Sequence, residues 1–259
     1  MKDLEKFVHK VDKTNIPICN ILGVDIAAVN MQWLLEFTHK YIKDLSGDYM
    51  CVSNVHTTEM AHKDEAYCKV QNGGIMAIPD GTPLSIVGRK RGFGDMDRTT
   101  GPDYMLEIIK CSAEHGYSHY FYGSTEETLE KFRLKMEKDF PDVRIAGMYS
   151  PPFRKLTAEE KIEVIEKINS ANADFVWVGL GAPKQELWMA EHQGKIKGFM
   201  VGVGAAFDYF AGNIKRAPVW MQKMSLEWLY RLMQDPKRLF KRYFQTNVAF
   251  IWHILREKK

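Results

Sequence analysis

The chain has 259 residues, 45% of them hydrophobic and 27% charged. That is enough for a sizeable core in one domain or a closely packed pair, and it reads as a soluble globular protein. Four cysteines, Cys19, Cys51, Cys68 and Cys111, lie far apart with no CxxC pair, so their spacing indicates neither a structural zinc site nor a disulfide framework and suits a reducing cytoplasm. The N-terminus is charged where a signal peptide would be apolar, and no run of about 18 apolar residues occurs, so neither export nor membrane spanning is expected.

Residues 1–17 are mostly polar and end in a proline; fraying is expected there, with a short helix as the alternative. Ile18 to Val29 reads as a strand pair bent at Gly23, and Asn30 can cap a helix from Met31 to Lys43. Tyr49 to Val55 reads as a buried strand ending near Asn54. A helix over His56 to Gln71 follows, then a short strand, Ile75 to Ile78, ending in Pro79-Asp80-Gly81. The basic Arg89-Lys90-Arg91 and a loop from Gly92 to Gly101 lead to Pro102, at the first position of a helix that runs to Glu114 and is stopped by Gly116. Ser118 to Tyr122 is a strand turning at Gly123-Ser124, and Ser124 with Glu127 predicts a capping box for a helix to Phe140. A strand from Val143 to Gly147, a turn at Pro151-Pro152 and a helix from a Thr157/Glu160 capping box to about Asn169 complete this part. Strands alternating with helices predict βαβ units, that is, an α/β fold with a mainly parallel sheet covered on both faces.

Two further apolar runs each break into a glycine-rich turn. Val176 to Gly179 opens into Gly179-Leu180-Gly181-Ala182-Pro183; glycines let the backbone approach a ligand, and Pro183 starts a helix with Lys184, Gln185 and Glu186 in its first turn. Phe199 to Val203 opens into Gly202-Val203-Gly204-Ala205-Ala206-Phe207-Asp208, followed by Gly212 and Lys215-Arg216-Ala217-Pro218. The closeness of the two turns suggests one shared pocket. Asn54, Asp80, Gly123, Gln185 and Asp208 each fall at or just after a predicted strand end, so the strand reading alone converges them on one edge of the sheet.

At these turns the chain resembles the WecG/TagA/CpsF glycosyltransferases (glycosyltransferase family 26), whose members show a G-L-G-x-P-K-Q-E turn and a G-V-G-x-x-F-D turn. The resemblance runs from about Ile18 to Tyr243. It implies the family's own Rossmann-like fold and a catalytic base at Asp80, although a tight turn in IPDGTPL would want the same residue. It implies that Asn54 contacts the donor or supports the base; capping the next helix is the other reading. The family often has a threonine two residues before this asparagine, where this chain has Val52, so the hydroxyl contact is lost or shifts to Ser53. Gln185 is implied to touch sugar or phosphate at a helix N-terminus that favours a pyrophosphate. Gly123, Gly179, Gly181, Pro183, Lys184, Gly202 and Gly204 would line the donor. Asp208 would face the nucleotide, or else pair with Lys215 or Arg216 as a structural bridge. Arg98, in Arg98-x-x-Gly101-x-Asp103, would reach the donor diphosphate.

Asp95-Met96-Asp97 looks like a DxD metal motif but lies in a charged loop and not after an apolar strand. The family it resembles has no metal requirement, so neither metal nor cofactor is expected. Nicotinamide chemistry is disfavoured because Gly202-x-Gly204 comes late and lacks a third glycine, and the GxSxG of serine hydrolases is absent.

Net charge is only +3, yet from Lys215 onward eleven Lys or Arg stand against three Asp or Glu, so the last 45 residues carry +8 and the rest about −5. An anionic partner for the tail is indicated. Met221, Met224, Trp228 and Leu232 recur at helical spacing, as do Phe240, Phe244, Val248, Ile251 and Leu255 after Asp235-Pro236; such a stripe seats on a core or on lipid. Arg231, Lys237, Arg238, Lys241 and Arg242 on the polar side suit an anionic lipid surface and an acceptor's diphosphate. Members of the family carry arginines in a C-terminal appendage after an E-W-L-Y-R-L segment, Glu227 to Leu232 here. Nucleic acid is not expected, since no nucleic-acid motif accompanies the charge. The organisation expected is an α/β core over 1–218 and a basic amphipathic helical appendage over 219–259.

The resemblance thus implies an inverting, metal-independent transfer of N-acetylmannosamine, or a related hexosamine or uronic acid, from a UDP-sugar to a polyprenyl-diphosphate-linked acceptor. The setting implied is the inner face of the cell membrane, in cell-wall or surface-polysaccharide assembly. A non-catalytic nucleotide or anionic-lipid binding module is the competing reading, and homo-oligomerisation stays open.

Overall fold

The computed structural model describes residues 7–224 and 226–257, the side chains of residues 223, 238 and 241–243 excepted. A short 3₁₀ turn, Lys13–Asn15, precedes Ile18–Ile21 (β1) and Val24–Ala27 (β2), an antiparallel hairpin turning at Gly23. Tyr49–Ser53 (β3), Met76–Pro79 (β4), Ser118–Gly123 (β5), Arg144–Tyr149 (β6), Phe175–Gly179 (β7) and Phe199–Gly202 (β8) complete one eight-stranded sheet in the order β1-β2-β4-β3-β8-β7-β5-β6. Every pairing except β1 with β2 is parallel. The mainly parallel α/β architecture is therefore as the sequence predicts.

Period-two alternation sorts the strand residues into two cores, because successive side chains leave opposite faces of a strand. Met50, Val52, Phe121, Phe175, Trp177, Phe199 and Val201 enter one core. That face is covered by Met31–Tyr41 (α1), Gly101–His115 (α5), Glu126–Asp139 (α6) and Ala206–Phe210 (α9). Tyr49, Cys51, Tyr120, Val176, Val178 and Met200 enter the other. There the cover is Val55–Lys63 (α2), Glu65–Gly73 (α3), Thr82–Lys90 (α4), Ala158–Ser170 (α7) and Lys184–His192 (α8). With both faces covered, β3, β4, β5 and β8 are buried at every position, the continuous apolar pattern that parallel sheets require.

Local signals set most helix starts. The Asn30 side chain accepts from the Trp33 N–H, and Thr157 with Glu160 closes the expected capping box. Two expectations need correction, and one helix is added. The helix expected over residues 56–71 is two, because Asp64 leaves the helical region and its carboxylate caps α3 through the N–H groups of Ala66 and Tyr67; a side chain that bonds nearby backbone competes with helix continuation. Ser124 does not cap α6. It takes a left-handed φ of +61°, and Thr125 caps one residue later by accepting from the Thr128 N–H. Residues 82–90, of which the sequence reading singled out only the basic Arg89 and Lys90, form α4, which starts with Pro83 in its first turn and buries Leu84 and Val87.

After Pro218 the chain forms Val219–Lys223 (α10), Glu227–Gln234 (α11) and Pro236–Arg256 (α12). α12 lies against α2, where His253 Nδ1 meets the buried Glu59 carboxylate at 3.0 Å and Phe250 enters the core. Its Phe240, Phe244, Val248, Ile251 and Leu255 remain exposed, Leu255 to 80%. The stripe singled out in the sequence is thus not the docked face. No helix among the described residues is long and apolar enough to cross a membrane.

Gly123 shows how closely the strand ends approach. Its φ is +119°, and a Cβ there would lie 2.6 Å from the Gly179 carbonyl oxygen. Gly123→Ala should therefore cost more than the roughly 1–3 kcal/mol of backbone strain alone. Gly116→Ala, at a left-handed helix stop with nothing within 4 Å, should cost less. Urea midpoints of the two variants give the ordering; equal midpoints would mean that β5 and β7 separate freely.

Candidate active site

Because β3 and β4 run parallel with Ser53 opposite Pro79, the next residues, Asn54 and Asp80, emerge side by side at the carboxyl edge of the sheet. The Asp80 N–H donates to the Ser53 carbonyl at 2.8 Å. Of the two readings of Asn54, helix capping is what the hydrogen bonds show. Its Oδ1 accepts from the His56 and Thr57 N–H groups at 3.0 and 3.2 Å, capping α2, and its side chain favours the charged form of the neighbouring Asp80. Asp80 keeps partial access to solvent, yet the protein around it pushes its carboxyl above the ordinary aspartate value. Burial is the main cause; Glu227 and Asp103 add to it, against Arg98 and the Asn54 hydrogen bond.

Arg98 Nε donates to the Asp80 carbonyl at 3.2 Å, and its terminal nitrogen pairs with Glu227 of α11. Arg216 Nε meets the other Glu227 oxygen at 3.3 Å, and its fork holds Asp103 at 2.5 and 2.7 Å. Burial pushes the Asp103 carboxyl up, but hydrogen bonds from Arg216 and Thr100 outweigh it and hold the group below its ordinary value. The alternative reading of Asp208 as a structural bridge to Arg216 therefore does not hold, since Arg216 pairs with Asp103 and Glu227. Asp208 instead accepts from Asn213 at 3.2 Å and from Thr128 at 3.5 Å.

Tyr209 of α9 and Glu227 are site-edge residues that sequence reasoning missed. Burial lifts the Tyr209 phenol to about 12, and the Arg231 guanidinium lies over its ring at 5.4 Å, a cation–π contact that brings Arg231 toward the crevice. The EWLYRL segment carried the signal for Glu227, but nothing local named its partners. Arg238, Lys241 and Arg242 fall on α12, and their side chains lie outside the described residues.

Gln185 is buried beneath the glycine turns. Its Oε1 accepts the Gly204 N–H at 3.0 Å and its amide donates to Glu186 at 2.9 Å, so it ties the β7 turn to the β8 turn. The chain of bonds continues inward. Tyr67 Oη donates to Glu186 at 3.3 Å, Gln71 Nε2 to Tyr67 at 2.9 Å, and Ser53 Oγ to Gln71 at 2.5 Å. Ser53 is fully buried, so its hydroxyl is not brought to the crevice.

The glycines divide by role. Gly181 and Gly204 have left-handed φ of +74° and +57° with nothing beside a notional Cβ, the open turns that ligands approach. Gly179 lies against the Phe207 ring, and Gly202 against Met189 and Gln185; these two serve packing. Pro183 follows a cis peptide bond at the N-cap of α8, and Lys184 is exposed. Asp97 accepts from the Arg98 N–H at 2.7 Å and meets Arg89 at 3.5 Å, while Asp95 is exposed.

A carboxylate, a carboxamide and arginines around glycine turns at the carboxyl edge of a doubly wound sheet make this crevice the candidate site for group transfer. Residues 19–259 match the Glycosyl transferase WecG/TagA/CpsF family, and the chain belongs to that family. It is similar to N-acetylglucosaminyldiphosphoundecaprenol N-acetyl-beta-D-mannosaminyltransferase of Bacillus subtilis (strain 168), at 29% identity over 89% of this chain and 88% of the relative. The enzyme of the same description from Staphylococcus aureus (strain MW2) is 25% identical over 96% of each chain.

Burial raises the Glu186 carboxyl above its ordinary value. A carboxyl raised in the folded state favours folding below its unfolded value near 4.5, and that contribution is lost as pH rises through the folded value. Glu186→Gln should flatten the dependence of stability on pH over this range. Glu186→Ala should lose roughly 1–3 kcal/mol for each buried partner left unpaired. Urea titrations between pH 4.5 and 7.5 test both; parallel curves for wild type and Glu186→Gln would exclude a buried, ionising Glu186.

Proposed function

We propose that the chain is an inverting glycosyltransferase that moves N-acetylmannosamine, or a related hexosamine, from its UDP form to a polyprenyl-diphosphate-linked N-acetylglucosamine. The observation that carries this reading is Asp80 beside Asn54 at the crevice mouth, in a chain whose relatives are described as acting on that lipid-linked acceptor. Asp80 takes the proton of the acceptor hydroxyl as its oxygen bonds to the anomeric carbon. The bond from that carbon to the UDP oxygen breaks on the opposite face, and configuration inverts. Asn54 orients the carboxylate. The leaving diphosphate gathers charge in the transition state, and Arg98 and Arg231, already at the site edge, supply the compensation in place of a metal ion.

The acceptor is anchored in a bilayer while the donor is soluble. A tail with exposed Phe240, Phe244, Val248, Ile251 and Leu255 on one helix, within a segment of net charge +8, suits peripheral attachment to an anionic membrane face.

Asp80→Asn should lower kcat by about 10²–10⁴ while UDP-sugar binding survives, since the amide keeps the shape but accepts no proton. The acidic limb of kcat/KM should lie above the ordinary aspartate range. Arg98→Gln should move the limb to higher pH by removing a cation that favours the charged carboxylate, and Glu227→Gln should move it lower. Near-normal turnover of folded Asp80→Asn would reduce this residue to a turn former.

For the tail, replacing Phe240, Phe244, Ile251 and Leu255 together by serine leaves the docked Leu239 and Phe250 in place. The wild type should sediment with anionic vesicles at low salt and less at high salt. The variant should stay in the supernatant with an unchanged melting temperature. A wild type that ignores vesicles, or a variant that melts early, would assign the stripe to packing instead.

A further inference from the structure

The geometry at the opposite edge of the sheet points to a metal site: we propose that His39, Cys111 and His115 form a zinc clip joining the C-terminal ends of α1 and α5. Both helices run back from the carboxyl edge and finish just before β3 and β5 begin, so their last turns lie far from Asp80. Cys111 and His115 are four residues apart on α5 and share one helical face. His39 approaches from α1. One ligand atom from each of the three residues lies within 4.8 Å of the others.

His39 is oriented for this role. Its Nδ1 is 2.9 Å from the Tyr117 hydroxyl, which leaves Nε2 facing Cys111 Sγ at 4.0 Å. A hydrogen bond on one ring nitrogen that holds the ring and aims the other nitrogen is the usual support of a metal-binding histidine, and on metal binding Nδ1 carries the proton and donates it to the Tyr117 hydroxyl. The His115 ring lies against those of His39 and Tyr117, with centroids 4.2 and 5.2 Å away, and because His115 is exposed it has solvent into which to turn on leaving that stack. Tetrahedral zinc, with bonds of about 2.0–2.1 Å to nitrogen and about 2.3 Å to sulfur, needs ligand atoms about 3.3–3.7 Å apart. Closing to that spacing takes a shift of about 1 Å, within reach of one side-chain rotation. Two imidazoles and a thiolate suit zinc over magnesium or calcium, which prefer oxygen. The fourth position opens to solvent through His115 and would take water. On binding, the Cys111 thiol gives up its 3.3 Å contact with the Ile108 carbonyl and releases its proton to solvent.

CxxC spacing could not reveal such a site, because one ligand stands 72 residues from the nearest of the others. The remaining cysteines lie elsewhere. Cys19 and Cys51 are buried in the other core, and Cys68 sits by the hairpin with its thiol 3.2 Å from the Gly23 carbonyl.

The test uses the full chain, treated with chelator and then titrated with Co²⁺. One equivalent should produce a near-ultraviolet thiolate-to-cobalt band in wild type and in Cys68→Ser, and Zn²⁺ should abolish the band by displacement. Cys111→Ser should lack it, and His115→Ala should bind at least about tenfold more weakly, a loss that even outer-shell changes can cause. Zn²⁺ should raise the melting temperature of wild type and leave that of Cys111→Ser unmoved, while glycosyl transfer by Cys111→Ser stays normal. No thiolate band in wild type, a band that survives in Cys111→Ser, or undiminished binding by His115→Ala overturns the clip. His115 is exposed, so its variant remains informative should Cys111→Ser fold poorly.

Discussion

Parallel pairing of β3 with β4 on one side and β8 on the other is the constraint from which the site follows. Parallel strands deliver all their carboxyl ends to one edge, and a residue just past one strand end lies beside the residue just past its neighbour. Asn54 and Asp80 meet for that reason alone. The same pairing sets the turns after β7 and β8 next to each other, where Gln185 spans them. Holding these turns takes small residues, since Gly179 and Gly202 lie under side chains that would otherwise collide with a Cβ.

Electrostatics then shape what that edge can do. Asp103, Arg216, Glu227 and Arg98 alternate in sign and end at the backbone of Asp80. Each charge is paired, so the chain of contacts can be partly desolvated without leaving an unmatched ion. Asp80 differs, set in protein where Asn54 and Arg98 favour its charged form but burial outweighs them. A carboxyl kept above its ordinary value is a better proton acceptor once ionised, which is what the proposed base requires.

The same alternation binds the tail to the core. Glu227 belongs to α11, so the first helices after Pro218 are latched to the crevice rim by Arg98 and Arg216, and Arg231 comes with them onto Tyr209. Further on, α12 docks through Phe250 and His253 and leaves its apolar row outward. A helix held on one side and apolar on the other presents a surface that water disfavours, the physical basis for the proposed seat on a bilayer.

The sequence by itself determined the class of fold and the sheet edge at which the candidate residues gather. Strand periodicity, turn residues and caps are local, and they place Asn54, Asp80, Gly123, Gln185 and the glycine turns at strand ends without reference to distant partners. Local chemistry missed the break at Asp64, the cap at Thr125 and the helix over 82–90, where a capping side chain, a left-handed Ser124 and burial of Leu84 and Val87 decided the outcome. Tertiary structure alone decided which charges pair. Arg216 chose Asp103 and Glu227 over the nearer Asp208, Ser53 turned its hydroxyl inward to Gln71, and His39 came beside Cys111. Such pairings join residues far apart in the chain through the packing of helices on the sheet, and pairwise contact at long separation leaves no periodic trace in a sequence.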